Sequence, residues 1–181
     1  SPVLAFAERV QSDNVETAIR LTNRLGGGMN PPMIVIFFLV AGIAYRWQRW
    51  VLYGAAMAVA SLGAGGVAHV LKYVVGRTRP ELWLGPFHYA RGSANSFPSG
   101  HTVGAFALAG VLFFASRNWT LRFIALALAA GVGASRVLAF RHWASDVVAT
   151  ACLGLLAAWL AVIVMTPESV KGELPVDERS V

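Results

Sequence analysis

Two stretches without a charged side chain, residues 31–45 and 51–71, follow one another with only Arg46-Trp47-Gln48-Arg49-Trp50 between them. No other feature restricts the fold as much. A bilayer-crossing helix needs ~20 apolar residues, and in hydrocarbon every backbone N–H and C=O has to be bonded within the protein, which an α-helix does locally. Three more apolar runs, at 101–115, 121–134 and 143–165, contain only Arg122 and Asp146 as charged residues. With 56% of its 181 residues apolar, 13% charged and a mean hydropathy of +0.59, the chain is too apolar for a water-soluble surface, and a disordered tail or nucleic-acid arm is excluded. The expectation is an all-α, polytopic transmembrane bundle of about five crossings, occupying residues 30–165 as one domain.

The two ends read differently. In residues 1–29, Val3, Ala7, Val10, Ala18, Leu21 and Leu25 recur near helical spacing among Glu8, Arg9, Asp13, Glu16, Arg20 and Arg24. This predicts an interfacial amphipathic helix, with Asp13 and Glu16 placed to cap its start. Residues 166–181 form a polar tail that is expected to be flexible. The single cysteine, Cys152, rules out a disulfide framework and reads as a small buried apolar residue. Dense small residues at 60–66 and 129–134 predict close helix packing. The chain starts without a methionine or a signal-peptide pattern, so a trimmed start is expected.

Charge is unevenly spread. Between the two ends lie ten basic residues and only two acids, Glu81 and Asp146. A cation at mid-bilayer costs about 2.5–3.5 kcal/mol on insertion scales, so such residues belong at helix ends or beside an anion. If the runs alternate in direction, the 72–100 loop, the 135–142 turn and the start of the last helix share one membrane face, where the polar chemistry gathers.

Lys72, Arg79 and Arg136 supply three positive charges there, two of them planar forks that match phosphate oxygens. Ser99 and Gly100 stand where a helix begins at His101, so free N–H groups and the positive end of the helix dipole are expected to face the same anion. His142 and Asp146, four apart, are spaced for the carboxylate to accept from one imidazole nitrogen, leaving the other aimed at an electrophile. His101 is placed to protonate a departing alkoxide. One histidine attacking and another protonating amounts to phosphoryl transfer through a phosphohistidine, with the cations supplying the stabilisation that Mg²⁺ gives elsewhere. The expectation includes no metal and no cofactor.

Lys72-x6-Arg79-Pro80, Pro98-Ser99-Gly100-His101 and Ser135-Arg136-x5-His142-x3-Asp146 resemble, in order and at full match, the three signature motifs of the type 2 phosphatidic acid phosphatase (PAP2) superfamily. A joint chance match is on the order of 10⁻⁸ at background residue frequencies. The resemblance implies a helical membrane enzyme in which His142 is the nucleophile, Asp146 its partner and His101 the acid. It also implies that Lys72, Arg79, Ser99, Gly100 and Arg136 bind phosphate. Membrane members usually cross six times; either a first span lies outside this chain or the protein is a compact member. The implied function is a lipid phosphatase acting on phosphatidic acid, phosphatidylglycerol phosphate or a polyprenyl (pyro)phosphate, which the sequence does not rank.

Other readings stay open at this point. The same phosphohistidine serves a lipid phosphotransferase. A vanadate-dependent haloperoxidase would use the same cradle but is soluble. A non-catalytic membrane protein would only hold a phospholipid. His69 reads as a packed helix residue, His88 as solvated, and Trp83, Phe87 and Tyr89 as interfacial anchors. Arg77, Arg91 and Arg141 read as headgroup-recruiting or decorative, and Gly26–Gly28 as a hinge. Arg46, Arg49, Arg117 and Arg122 lie in turns without acids, so that side is expected to be cytoplasmic and the catalytic face extracytoplasmic, in a bacterial inner membrane. The expected partners are the bilayer and a lipid phosphate, with oligomeric state left open.

Overall fold

The structure, a computed structural model, describes Thr17, residues 30–82 and residues 95–165. The amphipathic N-terminal segment, the Gly26–Gly28 hinge, the tail and the loop residues Trp83, Phe87, His88, Tyr89 and Arg91 lie outside the described residues. Among the described residues there are five long helices: α1 (Asn30–Ala44), α2 (Gln48–Val75), α3 (Gly100–Ala115), α4 (Trp119–Leu138) and α5 (Ala144–Met165). Each coincides with one of the apolar runs. By length and apolarity α2, α4 and α5 are able to cross a membrane, whereas α1 and α3 have only 15 and 16 residues. At 1.5 Å per residue α2 is roughly 42 Å long, enough to exceed the ~30 Å hydrocarbon core and carry its last turn into the headgroup layer.

Local signals set the boundaries. Ser99 and Asn118 cap α3 and α4 with side-chain oxygens that accept from Thr102 N–H and Leu121 N–H. Helix α2 stops at Gly76, whose φ of 59° is the left-handed C-cap conformation glycine enters at no steric cost. Two other ends use the same device without glycine. Arg46 (φ 55°) closes α1 with Trp47 N–H bonded to Gly42 O, and Phe140 (φ 54°) closes α4 with Arg141 N–H bonded to Arg136 O.

The interior is built from small side chains. Helices α2, α3 and α5 meet at Ala56, Met57, Ala60, Ala107, Leu108, Val111, Ala158 and Ala161, while Leu62, Val74, Leu128, Val148 and Val164 point outward. Lipid is as apolar as leucine, so bulk gains nothing by turning inward and close backbone approach decides the packing. One close approach is at Gly154, where an added Cβ would come within 2.8 Å of the Val103 carbonyl oxygen. The glycine-rich stretch of α2 behaves otherwise than expected: Ala60, Ala64 and Ala68 are buried every fourth residue, but Gly63, Gly65 and Gly66 face open space. The four-residue spacing of the alanines, not the glycines, selects the inner face. Cys152 likewise corrects the sequence reading, since it is exposed on the outward face of α5.

Gly154→Val is expected to lower stability by about 1–3 kcal/mol, as overpacking does, with Gly63→Ala unchanged within error. Thermal unfolding in detergent checks both.

Candidate active site

One end of the bundle collects every motif residue. The segment after α2 pairs with the segment before α3 through an isolated antiparallel bridge, Thr78 with Asn95, reinforced by Ser96 N–H to Arg77 O at 2.6 Å and Asn95 Nδ2 to Lys72 O at 2.6 Å. Against this pair lies the α4–α5 turn, tied by Trp143 Nε1 to Thr78 O at 2.9 Å and by Glu81 N–H to Phe140 O at 3.3 Å.

At the centre is Asp146, 1% exposed. A carboxylate taken out of water has to be paired and fully hydrogen-bonded. Its Oδ1 pairs with Arg77 Nη1, which also donates to Ser145 Oγ at 2.9 Å. Its Oδ2 accepts from the Ser96 hydroxyl and, at 3.0 Å, from Trp143 N–H. The last contact is the reciprocal half of a capping box, a side chain at the third helical position reaching back to the N-cap amide. The Arg77 guanidinium also lies over the Trp143 ring, 5.3 Å from its centroid.

His142 is 5% exposed, and its Nδ1 bonds the Ser96 carbonyl oxygen. The expected direct bond from Asp146 is therefore replaced by a bridge: the carboxylate holds the Ser96 hydroxyl, and the Ser96 carbonyl holds the ring. The physical reason is position. His142 sits in the bend before α5, which starts at Ala144, so the four-residue helical spacing does not apply to the pair. A carbonyl can only accept, so Nδ1 carries the proton and Nε2 keeps its lone pair. Burial pushes the His142 pKa down to about 4; the Ser96 carbonyl and Asp146 oppose this, while Arg79 and Lys72 add to it. The imidazole is neutral near pH 7.

Of the remaining motif residues, Arg79 and Lys72 lie within electrostatic reach of this ring. Arg136 is 6% exposed, and its Nη2, like Nε of Arg79, is buried without a hydrogen-bond partner. Among the described residues no acid pairs with Arg136 or Lys72, whereas Arg79 stands 3.6 Å from Glu81. Half-buried His101 occupies the first turn of α3, within the electrostatic reach of Arg136 and Lys72. Gly100 is exposed at the start of α3, and a Cβ there would meet nothing within 4 Å, so open space lies against the helix N-terminus. Ser99 departs from expectation in one respect. Its N–H is taken by Thr150 Oγ1 at 3.2 Å, and its hydroxyl accepts from Thr102 Oγ1 at 2.9 Å, so its own hydroxyl proton, not its amide, is left to donate.

Three constellations in one place, in this order along the chain, find their counterpart in a known family: the PAP2 superfamily model matches residues 49–169. The chain belongs to the PAP2 superfamily. A lipid A 1-phosphatase of Porphyromonas gingivalis is 39% identical over 98 residues, covering 53% of this chain and 20% of the relative. Another, from Rhizobium etli, is 36% identical over 126 residues, covering 65% of this chain and 52% of the relative. The chain thus spans at most about half the length of these relatives. A solved transmembrane PAP2 type phosphatidylglycerolphosphate phosphatase from Bacillus subtilis has the same fold, with a TM-score of 0.75 at 23% identity over 94% of this chain and 85% of that one. The PAP2 chain described here is an integral membrane protein.

Two residues of this PAP2 site escape a reading of the sequence alone. Arg77 is not a loose surface cation but the ion-pair partner of Asp146, and Ser96 joins Asp146 to His142. The only available hint was proximity to the motifs. Arg141 is paired with Glu81 at 2.8 Å, and His69 is exposed, edge-on to Tyr73 at 5.1 Å.

In ¹⁵N-histidine NMR of the protein in micelles, His142 is expected to titrate near pH 4, with Nδ1 protonated above that. Asp146→Asn removes a negative charge that favours imidazolium, so the midpoint should fall further.

Proposed function

We propose that this PAP2 protein is a lipid phosphatase whose catalytic domain is residues 30–165, working through a phosphohistidine formed on His142. The observation that carries the reading is two buried guanidinium nitrogens without a hydrogen-bond partner, Arg136 Nη2 and Arg79 Nε, at the same end of the bundle as a neutral imidazole of fixed orientation. Unpaired buried donors on cations are costly, and an anion seated among them removes the penalty.

In this reading phosphate oxygens lie against Lys72, Arg79, Arg136, the Ser99 hydroxyl and the N–H groups at the start of α3. Nε2 of His142 attacks phosphorus in line as the P–O bond to the lipid breaks. His101 gives its proton to the departing alkoxide, then takes one from the water that hydrolyses the N–P bond, so both histidines are restored. The preorganised cations stabilise charge on the equatorial oxygens of the transition state. Asp146 acts at one remove, keeping Ser96, and through it the ring, in place.

A lipid substrate is supported by an apolar groove of about 310 Å³ between α1, α3 and α4. Its lining includes Ala105 and Val132, each four residues along its helix from His101 and Arg136, with Pro31, Ile34 and Gly131. The names of the relatives point to a phosphate monoester on a saccharide or glycerol lipid. Arginines at the opposite end favour an extracytoplasmic site in a bacterial inner membrane.

The test is phosphate release by purified protein from a panel of lipid phosphates that includes lipid A 1-phosphate and phosphatidylglycerol phosphate. His142→Ala is expected to lose activity by at least about 10³-fold, and vanadate to inhibit as a transition-state analogue. EDTA should leave turnover intact; loss on chelation with recovery on adding Mg²⁺ would overturn the metal-free mechanism. Gly131→Phe, which fills open space in the groove, is expected to raise KM several-fold for long-chain substrates and leave KM unchanged for a short-chain one.

A further inference from the structure

At the end of the bundle away from the histidines, the α1–α2 and α3–α4 turns enclose a recess of about 650 Å³. Its lining includes Arg46, Arg49, Arg117, Trp47, Tyr53 and Asn118. The two turns are joined by the Tyr53 hydroxyl, which donates to Ala115 O at 3.2 Å. The charges of Arg49, Arg117 and Arg122 converge on Tyr53. Neither turn contains an acid: residues 45–53 and 115–122 carry four arginines and no Asp or Glu. Like charges brought together without a counterion repel, so the arrangement calls for an anion.

Arg46 provides an independent sign. It holds the left-handed conformation, φ 55°, at the C-cap of α1, a position where glycine is the unstrained residue. Local stability favours glycine there, and an arginine kept in that conformation directs attention to what its side chain does. Trp47 is half exposed, and Tyr45 stacks on it at 5.1 Å, the amphipathic aromatic pairing suited to headgroup depth.

We propose that this recess binds a phosphate-bearing lipid headgroup of the leaflet opposite the active site. Arg46, Arg49 and Arg117 hold the phosphate, and Trp47 and Tyr45 border it. Arg49 and Lys72 are 23 residues apart on the one helix α2, roughly 35 Å along its axis, so this lipid is not the substrate. A retained lipid there would fix the depth of the bundle and join the two turns.

Native mass spectrometry of the full chain, delipidated and then offered phosphatidylglycerol, phosphatidylcholine or inorganic phosphate, tests it. One phosphatidylglycerol per chain is expected to be retained by wild type and by Arg136→Gln, with phosphatidylcholine at least tenfold weaker. The Arg46→Gly/Arg49→Gln/Arg117→Gln variant should lose that retention at least tenfold. Arg46→Gly alone relieves the backbone, so its melting temperature without lipid should be equal or higher while its phosphatidylglycerol retention falls. Its turnover of a short-chain phosphate should be unchanged. Retention of phosphatidylglycerol by the triple variant, or loss in Arg136→Gln, would overturn the proposal. Saturation by inorganic phosphate in place of lipid would overturn the lipid as its source.

Discussion

A buried carboxylate governs this end of the protein. Asp146 gathers one donor from the segment after α2, one from the segment before α3 and one from the start of its own helix, so three stretches of chain distant in sequence close on a single charged group. Removing any of these donors would leave part of a negative charge dry, which is why the three segments hold one arrangement. The histidine ring inherits that order through Ser96. The acid is the fixing point to which the imidazole is referred.

How much of this was legible in the sequence follows from the range of the interactions. The helices were legible because an uncharged run carries its own backbone solution; the five runs and the five helices coincide within a few residues. The gathering of Lys72, Arg79, His101, Arg136 and His142 at one end was also legible, since alternating direction through the bundle fixes which turns share a face. The Ser96 bridge was not. It depends on a main-chain carbonyl, which leaves no mark in residue type, and on the helix beginning two residues after His142, where no strong start signal stands. Spacing in the first motif singled out Arg79 but carried no sign that Arg77 would pair with Asp146. Only the buried partner gives Arg77 its place.

Small side chains illustrate the same limit. Alanines spaced by four along α2 and the paired close approaches at Gly110 and Gly154 define the interior, whereas the conspicuous glycine cluster of α2 does not take part. In lipid, where burying leucine brings no gain over leaving it outside, abundance of small residues is a weaker guide than their phase. Periodicity survives as information; clustering alone does not.

Thr150 joins the two helices of the site. Its hydroxyl gives its proton to the Asp146 carbonyl oxygen and receives the Ser99 amide, so one oxygen spans from the first turn of α5 to the cap of α3. The start of α5 and the cap of α3 are thereby tied through a single hydroxyl group. A valine would fill the same volume and leave the Ser99 amide without its acceptor, so shape alone cannot stand in for it. In this fold one atom outside the three motifs keeps the starts of two helices in register.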